Sequence, residues 1–219
     1  MLEKYIMPED KIIHGMRLWL PAKYDEKTIY VTGEWDEYKI TDYTISDRKT
    51  ASVWKWRNND WADYTAQVNL YALLAEKYGF EVNKLQLYVL FKDFSDTEKL
   101  REANYPPARH VRIEVPLWPK EQREEYLINR IEEHIKFPYR YCTQKERWQN
   151  DSKWAVMKRN QPRAIRLLDT KDELHAYCIE KGILLNGEHY IEERPANPKR
   201  CNEWCPVKPW CPKWTNNQN

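Results

Sequence analysis

The strongest periodic signal in the chain runs from Trp61 to Tyr78, WADYTAQVNLYALLAEKY. Ala66, Leu70, Leu73 and Leu74 fall on one face at helical spacing, Asp60 stands where a cap belongs, and Gly79 supplies the stop. A helix over 61–78 is therefore predicted. A second helical period opens at Pro119 and runs to about Lys136, with Leu127, Ile131 and Ile135 in register on an otherwise charged stretch. Elsewhere in the first half the pattern shortens to strand-like runs. Residues 28–36 (TIYVTGEWD) and 38–48 (YKITDYTISDR), separated by a short break, predict an antiparallel pair. LQLYVLF (85–91) is apolar enough for a central strand, HVRIEVPL (110–117) predicts another, and the early run KIIHGMRLWLP reads as the first strand of the sheet. Strands and helices mixed in this order predict an α/β fold with a mixed central sheet flanked by helices.

A different module begins near Phe137–Pro138. KWAVMK (153–158) and RAIRLL (163–168) flank Arg159-Asn160-Gln161-Pro162 and predict a hairpin. Thr170 and Glu173 have capping-box spacing and open a helix that stops at Gly182. The expected layout is a core over 1–137, a small ββα appendage over 138–195 and a tail over 196–219. That tail is rich in proline, tryptophan and cysteine and has no helical or strand period, so something other than its own core must order it.

Composition narrows the classes of function. With 219 residues, 42% hydrophobic and 32% charged, the chain has an ordinary globular balance and enough length for one good core. The net charge of +2 does not by itself announce a nucleic-acid partner, so a basic surface must come from local clustering. No apolar run approaches the roughly 20 residues of a spanning helix, so no membrane role is expected. The start, MLEKYIMPEDKII, lacks the apolar stretch and small-residue site of a signal peptide, and a cytoplasmic, reducing setting is the expectation. In that setting the five cysteines read as metal ligands or core residues rather than disulfides. Five glycines, with no GxGxxG or GxxxxGK[ST], argue against a glycine-loop phosphate cradle.

The candidate chemistry lies in Gly33-Glu34-Trp35-Asp36 and Ile45-Ser46-Asp47-Arg48-Lys49-Thr50. Hydrolysis of a phosphodiester needs a divalent ion to activate water and offset charge on phosphorus; hard oxygen ligands hold such an ion, and a lysine can orient the water. Strand positions two apart share a face, so Asp47 and Lys49 point the same way. Asp36, on a neighbouring strand, can reach an ion held by Asp47, and the Arg48 backbone carbonyl offers a further oxygen. Taken alone, the D-x-K pair is a weak signal that a solvated strand face explains better. Gln67 and Tyr71 follow one helical turn apart, placed to reach the strand ends.

The order G-x-x-D, D-x-K-T, Q-x-x-x-Y resembles the RecB-like branch of the PD-(D/E)XK nucleases. That branch includes nuclease domains of bacterial end-resection enzymes, the iron–sulfur exonuclease of CRISPR adaptation and many phage proteins. The run SDRKTASVWKW…WADYTAQVNLYALLAEKYGF looks particularly like the phage-encoded members. The resemblance covers about residues 28–95 and the cysteine tail. It implies a restriction-endonuclease-like sheet, Mg²⁺ or Mn²⁺ on Asp36 and Asp47, a catalytic Lys49, and substrate positioning by Gln67 and Tyr71. Family members carry an upstream helix with a His or Glu at the metal. Here the residues before Asp36 read as extended, leaving His14 as the early candidate ligand or a partner chain or second copy to complete the site.

Cys201-x3-Cys205-x5-Cys211 has the close spacing of a soft-metal site, zinc or iron–sulfur. Cys142 is the expected fourth ligand, while Cys178, inside the 170–181 helix, reads as a core thiol. The triple resembles the cluster-binding tail of RecB-like nucleases, which implies a [4Fe–4S] cluster over zinc. Trp54, Lys55, Trp56 and Arg57 interleave cations with aromatics, as single-strand DNA contact requires, though an amphipathic loop rim has the same composition. The expectation is a metal-dependent DNA nuclease, an exonuclease working on single strands or duplex ends. Two alternatives stand beside it: a nuclease-fold DNA-binding or structural protein with impaired chemistry, and a zinc-stabilised adaptor.

Overall fold

The computed structural model describes residues 6–7, 11–136 and 141–215. The chain forms two compact units, Met1–Lys136 and Phe137–Asn219.

The first unit carries a six-stranded mixed sheet and a separate hairpin. The sheet contains β1 (Ile6–Met7), β2 (Ile12–His14), β5 (Glu37–Lys39), β6 (Thr44–Ala51), β7 (Lys84–Phe91) and β8 (His110–Val115), in that spatial order. All neighbours are antiparallel except β6 and β7, whose parallel pairing needs the long crossover that holds α1 (Val53–Arg57) and α2 (Ala62–Lys77). The hairpin pairs β3 (Arg17–Tyr24) with β4 (Lys27–Glu34). Helix α2 buries Val68, Ala72, Leu74 and Ala75 in one core with Ile45, Leu85, Leu87 and Val89 of the sheet. Its Leu73 belongs instead to a smaller cluster with Leu127 and Ile131 of α4 (Lys120–Ile135). A short α3 (Asp96–Arg101), N-capped by Ser95, follows β7. The mixed α/β sheet with flanking helices is the architecture the periodicities predict.

Three local expectations are corrected. The strand at 27–34 does not pair with 38–48; it turns back onto Arg17–Tyr24, and β6 pairs with the short Glu37–Lys39 strand. The early run does not form one strand either. It breaks at Gly15, which adopts a left-handed φ of 56° and donates its N–H to the Asp36 carbonyl at 3.1 Å. Finally, Asp60 is not the cap of α2: Trp61 takes that position with no side-chain cap, and Asp60 faces Lys55 at 3.8 Å.

In the second unit, β9 (Lys153–Lys158) is the middle of a three-stranded antiparallel sheet, flanked by β10 (Arg166–Leu168) and β11 (His189–Arg194). The appendage is thus ββαβ, its last strand lying beyond the predicted ββα. Helix α5 (Lys171–Glu180) starts with the capping box of Thr170 and Glu173. Val156, Leu174 and Cys178 form its core. The tail folds into a wide π-type turn at Arg200–Trp204, a tight turn at Lys208–Trp210 and α6 (Pro212–Thr215), with no buried residue in any of them. No helix among the described residues is long and apolar enough to cross a membrane.

Candidate functional site

Alternation in the GEWD segment sets the site's first carboxylate. Trp35 is fully buried against Tyr38 and Phe80, which turns its neighbours Glu34 and Asp36 away from the core. Asp36 then accepts the backbone N–H of Arg48 at 2.6 Å, tying the start of β5 to β6 between the two other candidate residues. On β6, the pleat directs Asp47 and Lys49 to one face and Arg48 and Thr50 to the other.

Asp47 is only 3% exposed and forms an ion pair with Lys49. Among the described residues its Oδ2 has that ammonium as counter-charge and no hydrogen-bond donor of ordinary geometry. Burial pushes the Asp47 carboxyl above the usual range; Lys49 pulls it back, and the Asp36 charge adds to the rise. Two carboxylates and a lysine are thus gathered as the strand reading predicts.

Gln67 and Tyr71 join them from α2. Gln67 Nε2 donates to the Tyr71 hydroxyl at 2.5 Å, leaving the phenol's own proton free for another acceptor. Burial, followed by the charge of Asp47, raises the Tyr71 pKa to about 12, with smaller contributions from Asp36 and Glu34 and Gln67 opposing. Tyr71 is therefore a neutral hydroxyl in the field of three carboxylates. Its seat depends on Gly33: a Cβ there would lie 2.7 Å from Leu74 Cδ1 and 2.8 Å from Tyr71 Cδ1. A cleft of about 460 Å³ opens here, lined by Arg17, Gly33, Glu34, Asp36, Gln67 and Tyr71. Arg17 covers Glu34, with Nη2 and Oε2 2.7 Å apart.

Two members were not foreseen. Glu34 belongs beside Asp36, and the signal was the two-residue spacing across a buried tryptophan. Tyr64 lies 5.4 Å from Lys49 Nζ, ring centroid to nitrogen, and 4.5 Å from Lys55 Nζ. Its signal was also present, since residues 64, 67 and 71 share one helical face.

His14 is not brought to Asp47. It pairs in register with Glu37, which pairs with Ser46, so it shares the sheet face of Arg48. Its Nδ1 lies 3.9 Å from Glu37, the carboxylate that also holds the Arg48 guanidinium. That face carries a hollow of about 820 Å³, lined by Glu37, Arg48, Tyr88, His110 and Arg112 among others, and Lys49 reaches its edge.

The expected basic loop is largely neutralised. Lys55 pairs with Asp63 at 2.9 Å, and Arg57 pairs with Glu102 at 2.5 Å. Trp56 packs edge-on against Phe91, while Trp54 is 59% exposed.

In the second unit, the Cys201 thiol is pushed up by burial, then by Cys205 and Cys142, with Cys211 adding a little and Arg147 opposing. The four expected ligands therefore share one neighbourhood, and Cys178 is separate in the α5 core. Among the described residues no three His, Cys, Asp or Glu side chains stand as a ready-made metal site.

No family model and no curated protein sequence matches the chain. It is similar to a solved structure described as "Crystal structure of SSO0001", at 13% identity and a TM-score of 0.38, over 67% of this chain. The chain spans 59% of the length of that structure.

Proposed function

We propose that the first unit is a metal-dependent DNA nuclease of the PD-(D/E)XK type, in its RecB-like branch, working as an exonuclease. The observation that carries this reading is Asp47: a buried carboxylate, raised by desolvation, with Lys49 on the same strand face and Asp36, which lines the neighbouring cleft, close enough to add to the rise. A buried carboxylate with a second carboxylate near it is unfavourable for folding, and such groups cluster where chemistry needs them.

The donor set fits a hard divalent ion. Asp36 and Asp47 would hold Mg²⁺ or Mn²⁺, with the Arg48 carbonyl as a third oxygen. When bound, such an ion lowers the pKa of an attacking water and offsets charge building on the phosphate. Lys49 holds and orients that water from the shared strand face. Tyr71 donates its hydroxyl proton to a phosphate oxygen, and Gln67 keeps the hydroxyl aimed by donating to it. Arg17 and Glu34 shape the cleft wall. In the second unit, Cys142, Cys201, Cys205 and Cys211 suit a [4Fe–4S] cluster, or zinc, that staples the tail to the start of the same unit. The partner is DNA, single-stranded or at duplex ends, in an intracellular setting.

The test is purified protein with labelled single- and double-stranded DNA and Mn²⁺. Wild type should degrade the DNA and Asp47→Ala should not; equal degradation by both rejects the reading. A second reading is a DNA-binding protein with impaired chemistry. It is favoured by one observation: Asp36 Oδ2 is taken by the Arg48 N–H and Asp47 Oδ2 by Lys49. Metal-independent binding with no hydrolysis across Mn²⁺ concentrations would select it. Iron content and visible absorbance of anaerobically purified protein separate a cluster from zinc, and a zinc-only protein without DNA binding would point to an adaptor.

A further inference from the structure

We infer that the first unit holds a pocket for one unstacked nucleobase of a single strand, next to the Lys49 site; this rests on the nuclease reading and goes beyond it by assigning base recognition. A hollow of about 420 Å³ is lined by Trp56, Arg57, Asn59, Trp61, Asn104 and Arg112, among others. Its volume lies toward the small end of ligand pockets, suited to a nucleoside-sized group.

The walls are fixed before any ligand arrives. The Trp56 ring lies edge-on to Phe91 at 6.0 Å and 88°. Trp61 is nearly buried and begins α2. Asn59 has a left-handed φ of 48° and is pinned by its backbone: its N–H donates to the Trp56 carbonyl at 3.0 Å, and its carbonyl accepts from Trp61 at 3.2 Å. Among the described residues the Asn59 carboxamide makes no hydrogen bond. Asn104 donates Nδ2 to the Arg57 carbonyl at 3.1 Å, which leaves Oδ1 as an acceptor.

Two carboxamides beside two indoles are what a base requires. Indole faces give sequence-tolerant stacking, and a carboxamide both donates and accepts, as a base edge does. Arg57 and Arg112 add cations that a phosphodiester backbone can use. Arg57 is half-spoken for by Glu102, and Arg112 lies over Tyr88 at 5.4 Å. A base inside a duplex cannot present its face to a tryptophan, so the occupant is unpaired.

The pocket connects physically to the carboxylate site. Lys49 Nζ lies 5.4 Å from the Tyr64 ring, Lys55 Nζ lies 4.5 Å from the same ring, and Lys55 Nζ is 6.0 Å from Trp61, a pocket wall. A strand with its phosphate at Lys49 would pass the Tyr64 ring and place a nearby base in the pocket, with Lys55, paired to Asp63, bracing the rings.

The experiment uses fluorescein-labelled strands of about 12 nucleotides, oligo-dA, oligo-dC, oligo-dT and an abasic strand, bound to the full chain in EDTA and read by anisotropy. Cleavage of the same strands in Mn²⁺ is measured in parallel. At least one base-bearing strand should bind about 5- to 100-fold more tightly than the abasic strand. Trp56→Leu should remove most of that gap. Because Trp56 also packs on Phe91, the milder pair Asn59→Gly and Asn104→Ala is decisive: glycine keeps the left-handed turn, and beyond the carboxamides only the bond from Asn104 to the Arg57 carbonyl is lost. This double variant should bring the three base-bearing strands within about twofold of one another, with abasic binding unchanged. Abasic binding equal to the rest, with Asp47-dependent cleavage intact, overturns the pocket and spares the nuclease. Base preference without cleavage leaves the pocket and rejects the nuclease. Absence of binding to every strand overturns the pocket.

Discussion

The two units reach order by different means. The first has a continuous core in which Ile45, Leu85, Leu87, Val68 and Ala72 are all shut away from water. Each large apolar side chain so buried contributes about 1.5–3 kcal/mol relative to exposure, enough surplus to hold a buried carboxylate in an unfavourable place. Among the described residues of the second unit the buried apolar set is small, Ala155, Val156, Met157, Leu174 and Cys178, while Ile165, Leu167, Ile179 and Leu184 stay exposed. The turns and the short helix of its tail bury nothing among the described residues, yet Cys201 there lies in the field of Cys205, Cys211 and the upstream Cys142. On the proposed reading, plentiful burial lets the first unit carry a strained carboxylate, and scarce burial leaves the second to a metal cross-link through its thiols.

The sharpest way to break that contrast is to remove chemistry from the first unit. Asp47→Ala and Lys49→Ala should each lower Mn²⁺-dependent cleavage by about 10²–10³-fold or more, with the thermal unfolding of the second unit unchanged. Loss of activity together with collapse of the second unit would mean that the sites do not belong to separable bodies. In the second unit, Cys201→Ser should abolish bound iron or zinc and let protease cut between about residues 195 and 215, because metal binding there is folding free energy. Cys178→Ser should keep the metal and cost about 1–3 kcal/mol for a buried hydroxyl without a partner. Equal metal loss in both variants would dissolve the distinction between ligand thiols and the core thiol.

A smaller effect tests how tightly the first unit is packed at its site. Gly33→Ala places a methyl 2.7 Å from Leu74 Cδ1 and 2.8 Å from Tyr71 Cδ1, an overpacking worth about 1–3 kcal/mol. Activity should fall with stability because Tyr71 moves. Adding Leu74→Ala removes one of the two collisions and gives the Tyr71 ring room to shift, so the double variant should lose less stability than the two single losses combined. Simple additivity of the two would show that the hairpin yields instead and that Gly33 does not seat Tyr71.

These variants also mark what was legible in the sequence. Helix α2, strands β7 and β8 and the Thr170 capping box were readable because each is specified by local period or local hydrogen bonding. The shared face of Asp47 and Lys49 follows from the pleat alone, and Gln67 with Tyr71 follows from one helical turn. Pairing partners were not legible. Whether Lys27–Glu34 pairs forward or backward depends on the break at Gly15 and on its hydrogen bond to Asp36, a contact between residues far apart in the chain. For the same reason the loop cations looked free: the carboxylates that neutralise them, Asp63 and Glu102, lie outside the WKWR segment. Side-chain type was visible, and counter-ions were not.

The buried carboxylate itself allows the finest test of the contrast. Burial raises the Asp47 carboxyl in the folded chain despite Lys49, so the native state holds that proton more firmly than the unfolded state does. Such a group adds stability fully only below its unfolded pKa, and the contribution is lost as pH rises through the folded value. At about pH 8 the ionised Asp47 therefore burdens the fold, and Asp47→Asn should melt at a higher temperature than wild type while cleaving nothing. On acidification into the ordinary carboxylate range the wild type regains the proton and the gap between the two melting curves should close. The same ionisation governs metal affinity, so cleavage at limiting Mn²⁺ should decline at a higher pH than a solvent-exposed aspartate would give. An Asp47→Asn protein that melts below wild type at about pH 8 would show that the Lys49 pair outweighs desolvation; the carboxylate would then be part of the scaffold rather than a strain carried for chemistry.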